Sequence, residues 1–142
     1  MKKSLSLIVC ICVLLSLCAC APKQGDITKV KIDLGESEMY SKADIQAAVD
    51  VILADFEKDW QGCELKTISY AGDEEAKSET DYYLGENKYY DADEAIVLVS
   101  DFYARNPSDT SGLNSPFDYD GWSWILVRTE GGTWRHVDHG YG

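Results

Sequence analysis

Residues 41–62, SKADIQAAVDVILADFEKDWQG, set the architecture of this 142-residue chain. Ser41 with Asp44 three residues on is the signature of a capping box, in which hydroxyl and carboxylate each satisfy an orphan backbone N–H. Ile45, Val49, Ile52, Leu53, Phe56 and Trp60 then recur at spacings of three and four, which predicts one apolar helical stripe. Asp50, Asp55, Lys58 and Asp59 fall off that stripe, and Gly62 offers a left-handed stop. A helix that is apolar on one side must cover something, and the residues C-terminal to it alternate like strands.

Residues 27–34 (ITKVKIDL) and 64–70 (ELKTISY) alternate apolar and polar positions, as half-buried strands do. Residues 71–75 (AGDEE) close the second of these. Residues 80–88 (TDYYLGENK) read either way, with Ser78 able to cap a helix of about two turns before Gly85. Residues 95–104 (AIVLVSDFYA) predict a central strand, and residues 106–121 a long loop rich in turn formers. Residues 122–130 (WSWILVRTE) and 133–139 (TWRHVDH) form a hairpin about Gly131-Gly132. The expected class is α+β: one long helix packed on a curved, mostly antiparallel sheet of about four to five strands.

The first residues bear on location. Lys2 and Lys3 precede an apolar run from Leu5 to Leu17, shorter than the roughly 20 residues of a membrane-spanning helix, so a signal peptide is the better reading. Leu17-Cys18-Ala19-Cys20 resembles the bacterial lipoprotein processing box. That resemblance implies cleavage before Cys20, a diacylglyceryl group with fatty acids such as palmitate on its sulfur, and attachment to the outer face of the cytoplasmic membrane. The plainer alternative is an ordinary cleaved signal that ends in cysteine. The expected organisation is a signal at 1–19, a lipidated tether at 20–26 and a single domain at 27–142. Six tether residues at about 3.5 Å each hold the domain within about 20 Å of the bilayer.

Loss of residues 1–19 takes the 13 basic residues to 11 against 25 acidic ones. Such a surface repels phosphate backbones, so nucleic acid is excluded as a partner, and it repels anionic headgroups, so attachment must come from acyl chains. Of five cysteines only Cys63 stays in the body unmodified, and one thiol makes no intramolecular bridge.

A single helix laid across such a sheet is similar to the cystatin-like or nuclear-transport-factor-like class of folds. The body also resembles uncharacterised secreted domains of Gram-positive bacteria, on IDLGESEMYSKADI, the GCEL step after the helix, ISYAGDE and the WSWILVRTEGGTW hairpin. That resemblance implies fold and location and no chemistry.

Chemistry is thinly signalled. Cys63 comes just after the C-terminus of the long helix, where the dipole disfavours a thiolate. His136, Asp138 and His139 form the one histidine-containing acidic cluster; on a regular strand His136 and Asp138 share a face and His139 points to the other. The hairpin register, Val127 opposite His136 or opposite Val137, decides which way the histidines face. No further His or Cys completes a zinc set, and no metal or other cofactor is expected. Asp118-Tyr119-Asp120-Gly121 looks like a calcium loop, yet Pro116 and Val127 stand where an EF-hand needs ligands, leaving a looser set of Asp109, Asn114, Asp118 and Asp120. Tyr119, Trp122, Trp124 and Tyr141 cluster about the hairpin with Trp134 nearby; they are either core opposite Phe56 and Trp60 or a contact patch on the uncovered face.

Two functions are expected from this pattern. The first is a membrane-anchored extracytoplasmic binding or interaction module that engages an envelope protein, a peptide or a small ligand. The second is an enzyme acting on a small substrate in a helix–sheet pocket, with His136 and Asp138 as an acid/base pair.

Overall fold

The computed structural model describes residues 24–86 and 88–141. Cys20 and the expected signal segment lie outside the described residues. The elements run β1 (Lys31–Asp33), α1 (Lys42–Asp59), β2 (Cys63–Tyr70), α2 (Asp73–Leu84), β3 (Glu94–Ala104), β4 (Phe117–Arg128) and β5 (Arg135–Tyr141). The five strands form one sheet in sequential order. β1 runs parallel to β2 and the other pairs are antiparallel, so the sheet is mixed. The parallel pair needs a crossover, and α1 supplies it.

α1 begins as its sequence dictates. The Ser41 hydroxyl accepts from the Asp44 N–H at 3.1 Å, and the Asp44 carboxylate accepts from the Ser41 N–H at 3.2 Å. Ile45, Ala48, Val49, Ile52 and Phe56 are buried against Leu65, Ile68, Ile96, Leu98, Phe102, Trp124 and Leu126 of the sheet. Each valine, isoleucine, leucine or phenylalanine among them contributes about 1.5–3 kcal/mol by leaving water. Trp60 closes the helix with its N–H on the Phe56 carbonyl, and Gly62 turns the chain at φ +74°. A Cβ at Gly62 would fall 1.9 Å from the Asn106 carbonyl oxygen, so the turn also needs the bare backbone.

The sequence predicts a single long helix; among the described residues there are two. α2 occupies residues that read as a strand-closing turn and an ambiguous segment. Its N-cap is Gly72, with no side-chain cap, and not Ser78. Asp73, Glu74 and Glu75 complement the dipole of the first turn. Ala76 is its one buried residue, so the sequence carries no apolar stripe to mark it. Thr80 anchors it instead: its hydroxyl donates to the Ala76 carbonyl at 2.8 Å and accepts from the Ala95 N–H at 3.3 Å.

Other boundaries shift too. The first strand keeps three residues of its expected eight. β4 starts at Phe117, inside the expected loop, because residues 117–119 pair with 102–104 of β3. The hairpin connection spans 129–134, wider than Gly131-Gly132. Gly25 and Asp26, expected in the tether, are tied to the domain: Gly25 N–H donates to the Glu57 carbonyl at 3.0 Å and Asp26 N–H to the Cys63 carbonyl at 2.8 Å. No helix among the described residues is long and apolar enough to cross a membrane.

Candidate functional site

β3 assigns the two faces of the sheet. Ile96, Leu98, Phe102 and Ala104 point to α1, and by alternation Ala95, Val97, Val99 and Asp101 point outward. Trp124 pairs with Leu98 and Trp122 with Ser100, which places both indoles on the α1 side. Trp124 is fully buried, and its Nε1–H donates to the Ser100 hydroxyl at 2.8 Å. Trp122 is half-buried among Trp60, Phe102 and Tyr119, and Tyr119 is itself buried. Only Tyr141 of the four expected patch residues is exposed. The four therefore make no outward contact patch, because strand alternation turns the two tryptophans into the core.

The histidine cluster is rearranged by a bulge. Leu126 pairs with His136 and Ile125 with Asp138, so Val137 is an extra residue on β5. The bulge carries His136 and His139 to the α1 face together and sends Asp138 to the outer face. This reverses the expected pairing of His136 with Asp138. His136 instead meets Asp55 of α1, Nδ1 to Oδ2 3.0 Å, and its Nε2 lies 3.3 Å from His139 Nδ1 and 3.2 Å from the Asp138 carbonyl. A carboxylate only accepts, so His136 Nδ1 carries the proton toward Asp55. The His139 ring sits among Trp60, Trp122 and Trp124; that burial, and then the neighbouring His136, hold its pKa below the ordinary histidine value. No local pattern marks Asp55 as a partner, since it sits 81 positions from His136 and only the packing of α1 on β5 joins them.

Two concavities flank this cluster. A cleft of about 310 Å³ opens at the C-terminal end of α1, walled by Trp60, His139 and the 107–113 loop. Cys63 reaches it but is buried, and burial pushes its thiol up to about 11. No activated nucleophile results.

The second concavity is on the outer face. α2 crosses that face, with Tyr83 donating to the Asp138 carboxylate of β5. Between α2 and the strands lies a groove of about 490 Å³ floored by Val97, Ser123 and Ile125. Glu75, Glu79 and Asp138 stand on its walls with Tyr82 and Tyr83. It continues past Glu75, Val97 and Ser123 into a shallower depression over Val99 and Gly121. Loss of solvation raises the Glu79 pKa, and the charges of Glu75 and Asp138 add to the effect. Glu75 and Glu79 do not stand out in the sequence, where they read as ordinary solvated charges of an acidic chain.

The expected calcium set is dispersed. Asp118 pairs with Lys66, and the Asn114 N–H donates to the Tyr119 hydroxyl at 2.7 Å. Among the described residues no group of three or more His, Cys, Asp or Glu side chains is placed to hold a metal ion. Comparison with protein-family profiles, curated proteins and solved structures returns no match to this chain.

Proposed function

We propose that this protein is a lipid-anchored extracytoplasmic binding module that takes its ligand in the outer groove. The observation that carries the reading is the groove itself: an apolar floor, polar and aromatic walls and a volume in the range of small-ligand sites. α1 and the tryptophans cover most of the opposite face and leave there the smaller cleft at the C-terminal end of α1, so the larger recognition surface is the outer one. The anchor rests on the Leu17-Cys18-Ala19-Cys20 pattern and on the acidity of the chain, which makes acyl chains the means of attachment. Five strands in sequential order with a helix between the first two support a cystatin-like or nuclear-transport-factor-like assignment.

A fragment library with cationic, neutral and anionic members, titrated into isotopically labelled full chain, tests the site. Shifts clustered at Val97, Val99, Ser123 and Ile125 support it; fragments that gather only at the α1-end cleft, or nowhere, overturn it. Mass spectrometry of the membrane-extracted protein tests the anchor, with release of a Cys20→Ala chain as its counterpart.

One observation favours an enzyme as the second reading. The Asp55–His136–His139 chain ends in a neutral imidazole on the wall of the α1-end cleft, with Asp55 in the place expected for Asp138. Turnover of any small ester or amide that His139→Gln abolishes would move the assignment there.

A further inference from the structure

We propose that the outer groove binds small aliphatic amines, with the ammonium group among Glu75, Glu79 and Asp138 and the alkyl chain on Val97 and Ile125. This deepens the reading of the groove as the ligand site and rests on it.

The groove is complementary in charge to an amine. Among the described residues the groove wall carries those three carboxylates and no lysine or arginine, and its shallow continuation adds none. Glu79 is desolvated beside two like charges, an arrangement that an arriving cation relieves. The Asp138 carboxylate is turned into the groove rim by the β5 bulge and is held there by the Tyr83 hydroxyl.

The groove floor selects among cations. A hydrated inorganic ion has no use for an apolar floor, whereas an alkyl chain over Val97 and Ile125 removes apolar surface from water on both partners. Tyr82 is 61% exposed on the rim. An exposed tyrosine ring beside carboxylates attracts an ammonium through its π face while Coulomb attraction holds it.

Titration calorimetry of the full chain with cadaverine, and with pentanediol as its uncharged counterpart, tests the proposal. Saturable cadaverine binding is expected, weaker by about tenfold for the diol, and lost to a similar degree in Glu75→Gln/Glu79→Gln and in Ser123→Leu, which fills the floor. Asp50→Asn, on the exposed side of α1, is expected to leave binding unchanged. Circular dichroism confirms that each variant is folded. Equal binding of amine and diol overturns the proposal, and so does an equal loss in Asp50→Asn, which would mark diffuse attraction to an acidic surface. Binding of oligolysine without cadaverine replaces the small amine with a basic peptide. Neutral fragments that occupy the groove while cadaverine does not would leave the groove standing and remove the amine. An empty groove with every probe removes both.

Discussion

The guanidinium carbon of Arg128 lies 4.1 Å from the centroid of the Trp134 ring. The same group donates to Asp44 at 2.8 Å and to Glu94 at 2.6 Å, with the Arg128 side chain only 9% exposed. Trp134 adds a hydrogen bond from Nε1 to the Asp44 carbonyl at 3.0 Å. One cation thus fastens the first turn of α1 to β3, β4 and the end of the connection that leads into β5.

Arg128→Met keeps much of the packing and deletes both charged hydrogen bonds. The expected cost is about 2 kcal/mol, since Asp44 and Glu94 keep partial access to water. Arg128→Lys should recover less than half of it, because an ammonium cannot engage both carboxylates in the guanidinium's fork. Urea unfolding of the three chains measures the order; equal stability of wild type and Arg128→Met would show the clamp to be idle.

The Ser41 cap sets the acid limb of stability. The Ser41 hydroxyl, and next the Arg128 guanidinium, hold the Asp44 pKa below the ordinary carboxylate value. A depressed carboxylate stabilises the fold above its unfolded pKa and loses that contribution as pH falls through the folded one. Stability should therefore decline below about pH 4, and Asp44→Asn should flatten that decline. Ser41→Ala should cost about 1 kcal/mol at neutral pH. Thermal melts from neutral to acid pH read both effects.

His139 titrates in a different window. Its pKa is depressed by burial among the tryptophans, so the folded state favours the neutral ring. The contribution is present above the unfolded histidine pKa and is lost as pH falls from about 6.5 toward the folded value. Proton NMR should find the His139 ring titrating below that of a free imidazole. His136→Gln should raise it, because the neighbouring positive charge is gone. An unchanged His139 value in that variant would show that burial alone sets it.

Cys63 is buried behind Trp60 and the 107–113 loop, with its thiol pKa near 11. The thiolate is the reactive form, so the folded chain should resist alkylation at pH 8 and label promptly in denaturant. The Cys63 peptide, tracked by mass spectrometry, separates this thiol from the other cysteines. Labelling of the native chain at the rate of free cysteine would place the thiol at the surface.

Contiguous residues alone specify α1, its cap, its apolar stripe and the five strands in outline, because each carries a helical period, an alternating period or a strand-forming apolar run. Ser41, Asp44, Ile45, Val49, Ile52 and Phe56 do in the fold what their spacing says. α2 is hidden at that level, since it packs through Ala76 and Thr80 and so lacks the apolar repeat that marks a buried helix face. The functional surfaces come from tertiary packing. One extra residue, Val137, turns His136 toward Asp55 and Asp138 toward Tyr83, and no local pattern announces a bulge. The groove exists only because α2 is folded back over the outer face, joining Glu79 to a carboxylate 59 positions further along the chain. Short-range periodicity fixes which side of an element is apolar; which elements then face each other is settled by packing.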